Sequence, residues 1–250
     1  TLEDFIYPTQ KKLFKRLCKR YRDNALICKG NFIVVKGTAP VMLVAHLDTV
    51  HKEPVRDICK SFDGNILMSP QGIGGDDRCG VYALATIYEL TDRKPYLLFT
   101  CNEEIGGVGA NMFCKCHAMK KLPPELDTLK FIVEIDRRGS KDAVYYDCAN
   151  FDFEDYISSK GFVTAHGSFS DISVIAPELG IAAVNLSSGY HDAHTRHEHI
   201  NRAELENTIE KVLEIVNDAA LKDFPTFEYV VATKFKTDDW LHSDDLFYLK

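Results

Sequence analysis

Apolar positions along the chain alternate between two rhythms. Short runs rich in Val, Ile, Leu and Phe read as strands at Ala25–Cys28, Phe32–Lys36, Val41–Ala45, Ile66–Met68, Tyr96–Thr100, Phe131–Ile135, Val144–Tyr146 and Ile181–Leu186. The Val41–Ala45 run is continuously apolar, as expected of a strand covered on both faces. Between these runs the apolar spacing becomes helical. A helix is predicted near residues 8–22, carrying Phe14, Leu17 and Cys18, and others at Cys79–Leu90 and Phe151–Ser159. A glycine-rich turn, Gly106–Gly109, opens a helix containing Met112 and Phe113. Asp171–Leu179 is expected to be capped by Ser170 and stopped by Gly180, and Arg202–Leu221, begun by Asn201, has the clearest amphipathic pattern. Tyr229–Ala232 is a further strand candidate, followed by an acidic, aromatic-bearing end at Asp238–Tyr248.

Strands separated by helices predict an α/β fold: a mainly parallel central sheet with helices on both faces. No repeat, low-complexity segment or linker interrupts the pattern, so residues 1–250 are expected to form a single domain.

Composition narrows the partners. The chain has 45% hydrophobic and 27% charged residues, a soluble globular balance. Its net charge of −7 argues against nucleic acid, whose phosphates need clustered cations. The one basic run, Lys11 to Arg22, reads as the solvated face of the opening helix. No apolar run approaches the ~20 residues of a membrane helix, and the charged N-terminus lacks a signal-peptide core. Eight irregularly spaced cysteines suit free thiols in a reducing compartment, so a cytoplasmic location is expected.

The residues with metal-ligand chemistry collect at the carboxyl ends of the expected strands, where open α/β sheets place their sites. His46 and Asp48 end the Val41–Ala45 strand. Asp76 and Asp77 precede a helix, Glu103 and Glu104 follow Tyr96–Thr100, Asp136 ends Phe131–Ile135, and His194 lies in a histidine-rich loop after Ile181–Leu186. Two adjacent divalent ions want about three protein ligands each and can share a carboxylate. His46 and Asp136 could complete one ion and Glu104 and His194 the other, with Asp76 between them. Glu103 is then left beside the site to take a proton from the bridging water, and Asp48 suits a partner that fixes the His46 imidazole. Singly these residues also read as structural: a histidine at a strand end, a solvated acidic pair, or Asp76-Asp77-Arg78 as a helix cap. Their convergence carries the functional reading.

These segments resemble a known superfamily. His46-Leu-Asp48-Thr-Val, Gly75-Asp76-Asp77-Arg78-Cys-Gly80, Asn102-Glu103-Glu104-Ile-Gly-Gly-Val-Gly109 and Ile135-Asp136 are similar, in order, to signatures of the co-catalytic zinc aminopeptidases and carboxypeptidases. That group includes bacterial leucyl and glutamyl aminopeptidases, peptidase T and acylamino-acid deacylases. Ser170-Asp171, Gly180-Ile-Ala-Ala-Val and Tyr190-His-Asp-Ala-His194-Thr-Arg-His-Glu198 resemble its closing motifs. The resemblance implies a central mixed sheet and two divalent ions, zinc first, with cobalt or manganese as the other candidates. The loop offers His191, His194, His197 and His199; the family's ligand stands four residues before a Glu, which selects His194. The interval 137–193 is too short for the lid domain of the carboxypeptidase and peptidase T branches. A lid-less catalytic domain is therefore expected.

The expectation is a metallopeptidase, an aminopeptidase first, acting on short peptides and able to form a homo-oligomer. A deacylase of N-acyl amino acids and an inactive binding module are the alternatives. Gly72-Ile-Gly74-Gly75 lacks dinucleotide spacing, Cys114-Lys-Cys116-His117 has no second pair at zinc-finger spacing, and no cysteine has a nucleophile context. Arg137 and Arg138 read as solvated charges at a strand end, with carboxylate binding as the alternative.

Overall fold

Runs that are apolar at every position occupy the middle of the structure. The computed structural model describes residues 1–232, and the acidic segment Asp238–Tyr248 lies outside the described residues. The chain opens with helices α1 (Glu3–Ile6) and α2 (Gln10–Arg20), then strands β1 (Ala25–Cys28), β2 (Phe32–Val35), β3 (Val41–His46), β4 (Cys59–Lys60) and β5 (Ile66–Met68). Helix α3 (Gly75–Leu90), β6 (Tyr96–Thr100), α4 (Val108–Ala118), a 3-10 turn (Pro124–Thr128), β7 (Phe131–Arg137) and β8 (Asp142–Val144) follow. The remainder is α5 (Phe151–Ser159), β9 (Val163–Ala165), α6 (Ile172–Leu179), β10 (Ala183–Ser187), β11 (Tyr190–His191), β12 (His199–Asn201) and α7 (Arg202–Ala219).

Eight strands form one sheet in the order β1-β2-β6-β3-β7-β10-β8-β9. The inner strands β6, β3, β7 and β10 run parallel, while β1, β2 and β8 add antiparallel pairings, so the sheet is mixed and mostly parallel. Side-chain alternation sends Val41, Leu43 and Ala45 to one face with α3 and α7, and Met42 and Val44 to the other with α4 and α6. Both faces are therefore covered, as the unbroken apolar run in β3 requires. Residues 137–193 supply β8, β9 and β10 to this sheet, with α5 and α6 packed on it. No helix among the described residues is long and apolar enough to cross a membrane.

Several expected boundaries move, each for a local reason. The strand expected at Val144–Tyr146 lies earlier, at Asp142–Val144, because Ala143 and Val144 pair with β10 while Tyr146 turns off at φ 55°. The strand expected at Ile181–Leu186 starts at Ala183, since Ile181 and Ala182 bond to Glu228 and Phe227 instead. Ser170 does not cap α6: its hydroxyl donates to the Glu134 carboxylate, and Asp171 stands at the helix start. Gly180 at φ 69° does end α6, and the Asn201 side chain accepts the Glu204 amide at the start of α7. The candidate at Tyr229–Ala232 makes one isolated bridge, Val231 to Cys148, next to the Glu228–Ile181 bridge just before it. A second, antiparallel sheet, β11-β12-β5-β4, was not expected beyond β5; its other strands are too short to show a periodicity.

Candidate metal centre

The parallel strands β3, β6, β7 and β10 deliver their carboxyl ends to one edge, and the acidic and histidine side chains meet there. His46, the last residue of β3, is fully buried. Its Nε2 lies 3.1 Å from Asp76 Oδ1 and 3.5 Å from Asp136 Oδ1, and its Nδ1 lies 3.4 Å from Asp48 Oδ1. The other oxygen of Asp76, Oδ2, lies 3.1 Å from His194 Nε2, which is in turn 3.2 Å from Glu104 Oε1. Asp76 thus belongs to two groups of three, His46–Asp76–Asp136 and Asp76–Glu104–His194, whose ligand atoms lie within 4.8 Å of one another. A third overlapping group, His46–Glu103–Glu104, puts Glu103 within the same reach. All seven candidate residues from the sequence therefore converge on one place. Of the loop histidines, His194 faces the acids, whereas His191 pairs with Glu204 at 2.6 Å and stacks on His199.

The separations suit a cation. Ligands at 2.0–2.1 Å around a tetrahedral ion stand about 3.3–3.4 Å from each other, close to the 3.1–3.5 Å seen here. The charges point the same way. Burial, and then the Asp76 charge, push Glu104 up to about 7. The same two causes push Asp136 well above the carboxylate range, although His46 opposes them. Burial also raises Glu103. Asp76 moves the other way: burial would raise it, but hydrogen bonds from His194 and His46 win and hold it low. The Asp76 hydrogen bond in turn lifts His194 to about 9. Carboxylates held up by burial and mutual repulsion form a set short of positive charge. Histidine and carboxylate donors are those zinc takes in co-catalytic sites, so the residues present fit the group that the resemblance implies.

Supporting contacts explain how the backbone holds these side chains. The peptide between Asp76 and Asp77 is cis, and both residues have non-helical φ/ψ inside α3, so the regular helix starts after them, near the expected Cys79. Asp77, fully buried, accepts the His46 amide at 3.1 Å and the Gly80 amide at 3.0 Å. A Cβ on Gly80 would collide with the Ile135 carbonyl and the Asp77 carboxylate, so only glycine lets α3 approach β7 this closely. Asp48 does more than face His46. Its Oδ1 accepts the Glu103 amide and its Oδ2 the Glu104 amide, both at 3.1 Å, which ties the acidic pair to β3. Burial would raise Asp48, but the hydrogen bonds from His46 and these amides outweigh it and hold it below its ordinary value. Asn185 braces Asp136, accepting its amide at 2.9 Å and donating to its carbonyl at 3.0 Å.

Glu198 is the residue that sequence reasoning used only as a landmark. It is fully buried, with Oε1 accepting the Asp76 amide at 3.0 Å and Oε2 the Gly74 amide at 3.1 Å, and His51 Nε2 lies 2.5 Å from Oε2. One carboxylate therefore joins the Asp76 turn to the His194 loop. Glu198→Ala orphans two buried amides at about 1–3 kcal/mol each, and should weaken metal affinity by about 10–100-fold through lost orientation of Asp76. Thermal melts and metal titration check this; an unchanged affinity would remove Glu198 from the support of the site.

No family model matches the chain, and no curated protein matches it in sequence. Solved structures do match in fold, among them several peptidases. The aminopeptidase PepT of Bacillus cereus superposes with a TM-score of 0.62 at 16% identity, covering 88% of this chain and 97% of that one. A tripeptidase of Staphylococcus aureus gives 0.64 at 15% identity over 88% and 97%. The TET1 peptidase of Pyrococcus horikoshii, which can assemble into a tetrahedron or a large octahedral shell, gives 0.62 at 13% over 86% and 98%. The architecture is the one these peptidases share, as the sequence resemblance implied.

Proposed function

We propose that this chain is a co-catalytic metallopeptidase, a lid-less aminopeptidase domain that hydrolyses short peptides. The observation that carries the reading is the two-sided environment of Asp76, one oxygen toward His46 and the other toward His194. His46, Asp76 and Asp136 would hold one divalent ion, and Asp76, Glu104 and His194 the other, with zinc the metal that best fits these donors. Two ions held there would acidify a water and polarise the scissile carbonyl.

The rest falls to the chain's own groups. Glu103 takes the proton from the attacking water and passes it to the leaving nitrogen, which departs only as a neutral amine. Asp48 keeps Glu103 in place through its backbone amide, and its Oδ1 stands 3.4 Å from His46 Nδ1. The cavity of about 400 Å³ beside these residues has room for a short peptide, and a loop bearing Ser168 and Phe169 lines its rim. Eight free thiols fit a cytoplasmic setting, and self-assembly would restrict an open cleft to small substrates.

The test is a panel of amino-acid amides, short peptides and N-acyl amino acids, assayed before and after chelation. Peptide hydrolysis that disappears with chelator and returns with zinc, cobalt or manganese is expected. Hydrolysis of N-acyl amino acids alone would replace the reading with a deacylase, and no hydrolysis by the metal-loaded protein would favour a binding module.

A further inference from the structure

The cavity at the metal centre is lined by charges of both signs. Asp76, Glu103, Glu104 and Asp136 are among its lining residues. The same lining includes the two arginines that follow Asp136, and the structure separates their roles. Arg137 is committed to the fold: its Nε lies 3.3 Å from Asp142 Oδ2, and its guanidinium donates to the His166 carbonyl at 3.2 Å, which steadies the loop along the rim. Arg138 lines the same cavity, is exposed, and forms no ion pair among the described residues.

The backbone beneath Arg138 is held on both sides. Ser187 Oγ donates to the Arg138 carbonyl at 2.8 Å, the Ser188 amide to the Arg137 carbonyl at 2.7 Å, and the Gly139 amide to the Tyr190 carbonyl at 2.8 Å. A fixed backbone with a free guanidinium suits an anion anchor: placement is set in advance, and only the side chain orders on binding. Asp136 lies near the end of β7 and Arg138 directly follows that strand, so the two residues, both lining the cavity, are close neighbours in the chain.

We propose that Arg138 binds a carboxylate of the substrate while the acidic residues of the same cavity, with the ions they would hold, engage the scissile bond. The site then selects small peptides by a negative charge within a residue or two of the cleaved bond. Two sources carry that chemistry, the free C-terminus of a di- or tripeptide and the side chain of an acidic residue. Guanidinium meets either with two parallel hydrogen bonds, and an ammonium in its place would not. This inference rests on the peptidase reading of the same site.

The test compares three substrates on the metal-loaded protein: Leu-Gly-Gly as the free acid, its C-terminal amide, and Glu-Gly-Gly amide. The wild type should favour at least one carboxylate-bearing peptide over Leu-Gly-Gly amide by about 10–100-fold in kcat/KM, from a charge-assisted pair. In Arg138→Gln that ratio should fall to near one, with the change in KM, while metal content stays the same. A preference for the free acid makes the C-terminus the source, and one for the glutamyl amide makes it the side chain. Arg138→Lys should restore only part of the ratio. A ratio equal in wild type and Arg138→Gln overturns the anchor and leaves the peptidase reading intact. A wild type that cleaves none of the three overturns both.

Discussion

Glu103→Gln is expected to bind two metal ions per chain and to lose on the order of 10²–10⁴-fold in kcat, the range for a general acid–base group. The amide keeps the shape of the carboxylate and removes its capacity to shuttle a proton. Glu104→Gln is expected to behave differently, losing metal first and activity as a consequence. The contrast matters because the two residues are neighbours of similar burial, and a carboxylate oxygen of each lies within 4.8 Å of a His46 ring nitrogen. Their geometry separates them: Glu104 Oε1 lies 3.2 Å from His194 Nε2, inside the Asp76–Glu104–His194 group, while Glu103 belongs to neither group that contains Asp76. Metal content and turnover measured side by side decide the matter. If Glu103→Gln retains full activity while Glu104→Gln destroys it, base and ligand have been assigned the wrong way round.

The second large effect is expected at Asp76. Its carboxylate is the one group common to both ligand sets, so Asp76→Asn withdraws negative charge from both positions at once. Metal content should fall to one ion or fewer per chain, and activity to or below the level of Glu103→Gln. Asp136→Asn and Glu104→Gln each touch a single position, and each should leave one ion bound. Equilibrium dialysis with zinc on the three variants gives the comparison. Two ions retained by Asp76→Asn would mean that the carboxylate does not bridge.

Much of this site was legible in the sequence because strand ends are legible. The apolar runs that become β3, β6 and β7 stop at His46, Thr100 and Asp136–Arg137, and an open sheet places its chemistry where such runs stop. A charge standing immediately after a buried run is a signal that needs no coordinates. The supporting residues were less visible, for two reasons. Glu198 acts through backbone amides more than a hundred residues earlier, and nothing local distinguishes it from a solvated acid. Asn185 and Glu134 did carry a signal, each a polar residue flanked on both sides by apolar ones within its strand and both buried. Partners for them could have been sought from that alone. The small sheet β11-β12-β5-β4 was hidden because strands of two or three residues have no period to read. Ser170 was misjudged because a serine before a helix is usually its cap. Here the buried Glu134 carboxylate takes the hydroxyl instead.

A crystal of the zinc-loaded protein, with anomalous diffraction recorded at the zinc edge, tests the shared carboxylate most directly. Two peaks about 3.5–4 Å apart are expected, one beside His46 and Asp136 and the other beside Glu104 and His194, with Asp76 reaching both. A single peak, or two peaks too far apart for Asp76 to touch each, would contradict a co-catalytic centre.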